Sequence, residues 1–132
     1  MRHFNLDLVR VTEAGAVAAS QWVGSGNKEA ADKAASEAMR ERFNRIDFAG
    51  YIAIGEGKKD KSYGLFSGEF VGQRHPNNTD WCGPVYDLAI DPIEGTTPTV
   101  TAGPEAISTI AVAGDGCFYK TEQFYMNKLA YG

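Results

Sequence analysis

Asp87-Leu88-Ala89-Ile90-Asp91-Pro92-Ile93-Glu94-Gly95-Thr96 is the stretch from which the rest of the chain is best read. With Val85 and Tyr86 ahead of it, its apolar start predicts a strand over residues 85–90. Asp91 stands at the strand end. Pro92 has no N–H to offer a ladder, so pairing is expected to stop there. Glu94 follows three residues after Asp91, and a tight turn can aim both carboxylates at one point. Gly95 and Thr96 then offer backbone N–H groups where a helix can begin, a natural cradle for phosphate. Hard divalent cations such as Mg²⁺ or Mn²⁺ take oxygen ligands of this kind and leave positions for substrate phosphate. Local chemistry alone also allows a plain acidic turn with a capping threonine.

Upstream, Tyr51-Ile52-Ala53-Ile54 predicts a second short strand, ending at Gly55-Glu56-Gly57. Flanking glycines permit a sharp turn and leave the Glu56 carboxylate unobstructed, although a glutamate between glycines is common in turns. A strand is expected near residues 64–71, and residues 72–84 read as loop because Pro, Asn and Gly punctuate them. Downstream, residues 107–113 and 117–120 read as a hairpin across Gly114-Asp115-Gly116. Residues 122–130 read as a final short helix or turn.

Before the strands the period is helical. Leu8, Val11, Ala18 and Trp22 recur at spacings of three and four over residues 4–23. The small residues from Ala14 to Ala19 allow another element to approach closely. Gly24-Ser25-Gly26 breaks the pattern, and Asn27 is a suitable N-cap for a second helix reaching about Arg45. Ala31, Ala34, Ala35, Ala38, Met39 and Phe43 line one face of it. Asp32 sits early in this helix, where the macrodipole also favours a simply solvated carboxylate. Two helices joined by a short Gly-rich turn form an αα-hairpin. Helices followed by strands indicate one α+β domain over residues 1–132, with the hairpin packed on a mainly antiparallel sheet.

Composition narrows the function classes. With 17 acidic against 13 basic residues the formal charge is −4, which argues against a nucleic-acid partner. No apolar run approaches the ~20 residues of a membrane span, and no signal-peptide pattern is present, so a cytoplasmic location is expected. Lys58, Lys59 and Lys61 form the one dense basic cluster, read as a solvated loop. Cys82 and Cys117 lack metal-ligand spacing and are read as buried or bystander thiols.

Six ordered blocks carry a resemblance: Trp22-Val23-Gly24, Gly26-Asn27-Lys28, Ala31-Asp32, Ile54-Gly55-Glu56-Gly57, Asp91-Pro92-Ile93-Glu94-Gly95-Thr96 and Phe124-Tyr125-Met126-Asn127-Lys128-Leu129. Together they resemble the N-terminal half of the class II, GlpX-type fructose-1,6-bisphosphatases of the lithium-sensitive, inositol-monophosphatase-like superfamily. The resemblance implies that Asp32, Glu56, Asp91 and Glu94 hold Mn²⁺ or Mg²⁺. It implies that Asp32 and Thr96 position or activate the attacking water, and that Glu94, Gly95, Thr96 and Tyr125 meet the substrate. Lys28 and Asp60 match positions near the site. The implied chemistry is attack of water on a phosphate monoester, fructose 1,6-bisphosphate giving fructose 6-phosphate, a reaction of gluconeogenesis.

The same resemblance implies a C-terminal αβ half, absent from these 132 residues, with a further metal-binding carboxylate and most of the sugar recognition. The isolated chain is therefore expected to be weakly active or inactive, its metal sites unfilled. The remaining readings are a non-catalytic oligomerisation or regulatory module, and one half of a split enzyme whose C-terminal half is separately encoded. Sedoheptulose bisphosphate and inositol phosphates are rival substrates. Local departures from the family pattern are Lys58-Lys59-Asp60-Lys61 after Gly57, a longer 72–84 loop, Thr97-Pro98-Thr99 and Glu105. Apolar surface left uncovered predicts a homo-oligomer, a two-fold dimer, unless the loop carrying Trp81 folds back over it and leaves a monomer.

Overall fold

The computed structural model describes residues 3–57, 64–77, 80–121 and 126–132. Lys58, Lys59, Asp60, Lys61 and Tyr125 lie outside the described residues. Two helices, α1 (Phe4–Ser20) and α2 (Lys28–Phe43), precede strands β1 (Ala49–Ile54), β2 (Phe70–Val71) and β3 (Val85–Glu94). A short helix, α3 (Thr96–Val100), and strand β4 (Ile107–Gly114) follow.

Asn27 caps α2 as its side chain predicts, its Oδ1 accepting the Ala30 N–H at 3.1 Å. Val11, Gly15 and Ala19, four residues apart, form the buried stripe of α1. Ala31, Ala35, Met39 and Phe43 form that of α2. Gly15 is what lets the helices close: a Cβ there would stand 2.8 Å from Met39 Cγ and 2.9 Å from Met39 Sδ. Gly24 and Gly26 both take positive φ, 74° each, a conformation glycine adopts without strain. Their N–H groups donate to Thr99 O and Val100 O, so the interhelical turn is tied to the end of α3.

The sheet order is β2-β1-β3-β4. It is mixed, not mainly antiparallel: β1 pairs parallel with β3, while β2 and β4 add antiparallel edges. Antiparallel pairing of β1 and β3 would need only a hairpin, whereas residues 55–84 are long enough for the crossover that parallel neighbours require.

Further expectations are corrected. β3 continues through Pro92 to Glu94. Asp91 pairs with Thr109 and Glu94 with Ile107, so two residues face one. The strand survives because proline sits in a bulge, where no ladder N–H is required. Residues 64–71 contribute only the two-residue β2, because Gly64, Leu65 and Gly68 have positive φ and fold the segment around Glu69. That buried carboxylate is paired with Arg40 Nε at 2.6 Å. Residues 117–120 make no hairpin with β4. They cross back over the sheet, the Phe118 N–H donating to Asp87 Oδ2 at 3.1 Å and Lys120 Nζ lying 4.2 Å from the Tyr51 ring centroid. Residues 126–132 have no regular structure and are exposed. Cys82 and Cys117 are free and exposed, which removes the buried alternative and leaves that of bystander thiols.

Helices and sheet meet in one layer contact. Val11, Met39 and Phe43 pack with Phe48, Ile52, Leu88 and Ile90 in the main core. A smaller cluster of Ala19, Ala31, Ala35, Ile93 and Val100, with Trp22 against it, lies beneath the β3–α3 turn. No helix among the described residues is long and apolar enough to cross a membrane.

Candidate active site

Parallel pairing decides where the acidic motifs go. β1 and β3 run the same way, with Ile54 beside Ala89, so the motifs that follow them emerge at the same sheet edge. Gly55 is required there by crowding: a Cβ would meet Leu65 O at 2.4 Å. The next residue, Glu56, is held by its N–H donating to Leu65 O at 2.9 Å. Glu56 is thus delivered to the edge at which β3 presents Asp91 and Glu94.

At the end of β3 the bulge bends the chain, and Asp91 Oδ1 accepts the Ile93 N–H at 3.1 Å. The Asp91 carboxyl is pushed up to about 6. Burial is the largest cause, followed by the hydrogen bond and charge of Glu94, with Asp32 adding repulsion and the Ile93 N–H opposing. Three carboxylates, on β3 and α2, therefore feel one another. Gly95 follows in the left-handed region, φ 99°, and turns the chain into α3. Thr96 Oγ1 then donates to Asp32 Oδ1 at 3.0 Å, linking α3 to α2. Thr99 closes the turn, its N–H and Oγ1 both donating to Gly95 O.

The structure thus brings together Asp32, Asp91, Glu94, Gly95 and Thr96, and places Glu56 at the same edge. Lys28 is exposed at the start of α2, one helical turn before Asp32. Asp60 and Tyr125 fall outside the described residues. Among the described residues no three His, Cys, Asp or Glu side chains are arranged to hold a metal ion. The donor chemistry nevertheless suits a hard divalent cation: the Asp91–Glu94 pair is all oxygen, lies at a strand end and carries a mutual repulsion that a cation would relieve.

A cavity of about 520 Å³ opens alongside, between α1, Pro92–Ile93 and residues 103–108, where Thr12, Glu13, Ser20, Thr99, Glu105 and Ser108 contribute polar groups. None of the four acidic candidates lines it. Two contributions were missed from sequence. Gly24 and Gly26 anchor α3 through their N–H groups, a role signalled only by glycine recurring in the interhelical turn. Asp87 is fully buried, and its Oδ1 has no hydrogen-bond partner among the described residues. Its signal was an acidic residue inside an apolar strand, four positions before Asp91 and on the same side by alternation.

A family described as bacterial fructose-1,6-bisphosphatase, glpX-encoded, matches residues 2–132. Curated relatives include the "D-fructose 1,6-bisphosphatase class 2/sedoheptulose 1,7-bisphosphatase" proteins of Trichormus variabilis and Nostoc sp., each 40% identical over 130 residues. The protein of the same description from Thermosynechococcus vestitus is 38% identical. Each alignment covers 95% of this chain and 38% of the relative, so the chain spans under two fifths of the length of the curated relatives it matches.

Proposed function

The chain belongs to the glpX-encoded bacterial fructose-1,6-bisphosphatase family, and from that premise we propose that it supplies the carboxylate and phosphate-facing part of a metal-dependent sugar bisphosphatase. The observation that carries this reading is the meeting of Asp32, Asp91 and Glu94 with the Thr96 hydroxyl at one sheet edge. A chain using these groups merely as an acidic turn has no need to half-bury Asp91 beside a second carboxylate, since that repulsion opposes folding.

Asp91 and Glu94 would hold the cation, Mn²⁺ or Mg²⁺, with Glu56 and Asp32 completing its surroundings. Bound there, a divalent cation supplies charge neutralisation at a phosphate ester and lowers the pKa of an attacking water. Asp32 accepts the Thr96 proton and fixes the hydroxyl oxygen, whose lone pairs can then receive a hydrogen bond from that water. The Gly95–Thr96 turn presents backbone N–H groups beside the same hydroxyl to receive phosphate oxygens. The substrate is a sugar bisphosphate of the fructose 1,6- or sedoheptulose 1,7- type, the two compounds in the relatives' names.

A second reading has its own support. Because the described residues hold no three-ligand metal group, the isolated chain is expected to act as a non-catalytic module or as one half of a split enzyme. The experiment is phosphate release from fructose 1,6-bisphosphate with Mn²⁺ or Mg²⁺, by the 132-residue chain alone and co-expressed with a family C-terminal half. Background activity alone and Mn²⁺-dependent turnover in combination, lost on Asp91→Ala, is the expected result. Robust turnover by the chain alone refutes the incomplete-site reading. No turnover in a combination that forms a stable complex refutes the phosphatase reading.

A further inference from the structure

The cavity between α1, the β3 bulge and residues 103–108 encloses about 520 Å³, a size typical of small-molecule sites. Ala16, Val23, Ile93 and Ile107 give it apolar walls. Four hydroxyls also line it, and each commits its single proton to a neighbour. Thr12 Oγ1 donates to Val9 O at 2.8 Å, Ser20 Oγ to Val17 O at 2.7 Å and Thr99 Oγ1 to Gly95 O at 3.0 Å. Ser108 Oγ is turned to Met39 Sδ at 3.5 Å. A hydroxyl so committed has only lone pairs left to offer. The other polar side chains are the carboxylates of Glu13 and Glu105, which take part in no ion pair among the described residues. Among the described residues no Lys, Arg or His lines the cavity. Glu105 is held at φ 71°, a backbone conformation unfavourable for any residue with a Cβ, and it is one of the departures from the family pattern.

We propose that this cavity binds a small amphipathic organic cation, a primary alkylammonium, its charge met by Glu13 and Glu105 and its carbon chain laid on the apolar walls. An ammonium has three donors and no acceptor, the complement of side chains that only accept. Phosphate and carboxylate ligands are disfavoured, because two carboxylates stand there with no cation between them. A sugar or other neutral polyol needs donors as well as acceptors, and the lining side chains supply none. Hydrated Mg²⁺ matches the charge, but it holds its water shell and gains nothing from apolar walls. Pro92 and Ile93 line the cavity whereas Asp91 and Glu94 do not. The ammonium therefore leaves that carboxylate pair free and touches the two bulge residues between them. The inference stands apart from the phosphatase reading, and its test needs no turnover.

The test is titration of the isotope-labelled 132-residue chain with hexylammonium chloride at neutral pH, read by amide chemical shifts. Hexanol, hexanoate and Mg²⁺ are parallel arms. Saturable shifts at residues 12–23, Ile93 and 103–108 are expected with hexylammonium and with none of the other three. Glu13→Gln and Glu105→Gln should each weaken binding about 3-fold, and the two together about 10-fold. Ala16→Leu adds bulk at an exposed position of the cavity wall and should abolish it. Unchanged shifts elsewhere in the spectrum establish that each variant is folded. Hexylammonium shifts that do not saturate overturn the proposal. So does an equal response to hexanol or hexanoate, which would make the cavity a plain apolar cleft. Binding indifferent to both Gln substitutions, or Mg²⁺ bound at these residues, overturns it too.

Discussion

Replacing Asp91 with Asn removes one ionisable group from a place where the fold works against its charge. Its carboxyl is raised from 3.8 to about 6, first by burial and then by Glu94. Because the folded pKa lies above the unfolded one, the native state binds the proton more tightly. Below about pH 4 both states are protonated and nothing is lost. Between about pH 4 and 6 the native state alone holds the proton, and stability falls as pH rises. Above about pH 6 both are ionised and the full penalty persists. Two pKa units correspond to about 3 kcal/mol, but Asp91 is only half-buried, and solvent screening reduces this to roughly 1–2 kcal/mol.

Asn keeps the Oδ1 that accepts the Ile93 N–H and can donate to Glu94. The variant should therefore be more stable than wild type by roughly 1–2 kcal/mol at pH 7.5 in chelator, the difference vanishing near pH 4. Urea unfolding at pH 4, 5, 6 and 7.5 measures both. Added Mn²⁺ should reverse the order at pH 7.5, since at 100-fold excess over its dissociation constant a ligand of the native state stabilises by about 2.7 kcal/mol. A variant less stable than wild type at pH 7.5, or a difference that does not change with pH, refutes the account of Asp91 as an electrostatic strain point.

Three other substitutions probe the frame around the site. Asn27→Ala removes the cap on Ala30 N–H and should cost about 1 kcal/mol in urea unfolding. Gly15→Val drives side-chain atoms into Met39 and should destabilise by about 1–3 kcal/mol, with a lower midpoint at unchanged slope. Arg40→Met strips the cation from Glu69, which is 8% exposed and keeps the Leu65 N–H; roughly 2–3 kcal/mol should be lost at pH 7, since a buried carboxylate is left without its counter-charge, and Glu69→Gln in the same background should recover part of it.

How much of this was legible in the chain depends on which physical signal each element carries. The helices were legible because period and cap chemistry are local: Val11, Ala31, Ala35, Met39 and Phe43 repeat on inward faces, and Asn27 announces the start of α2. Their ends were overdrawn by a few residues, since local signals weaken at frayed termini. The sheet was not legible in the same way, because pairing direction is a property of residues far apart. Nothing within Tyr51-Ile52-Ala53-Ile54 says that β3 will run beside it in parallel. Pro92 shows the limit of single-residue rules: it excludes a regular ladder, yet it fits a bulge, and that bulge bends β3 between Asp91 and Glu94. The site was half legible. Asp91 and Glu94 stand three residues apart and meet through local turn geometry. Asp32 reaches Thr96 across 64 positions, and only the packing of Ala31 and Ala35 against Ile93 and Val100 makes that hydrogen bond. The apolar faces of α2 and α3 therefore set the geometry of the polar groups above them. A core substitution such as Ala35→Leu should disturb the Thr96–Asp32 contact without touching either residue.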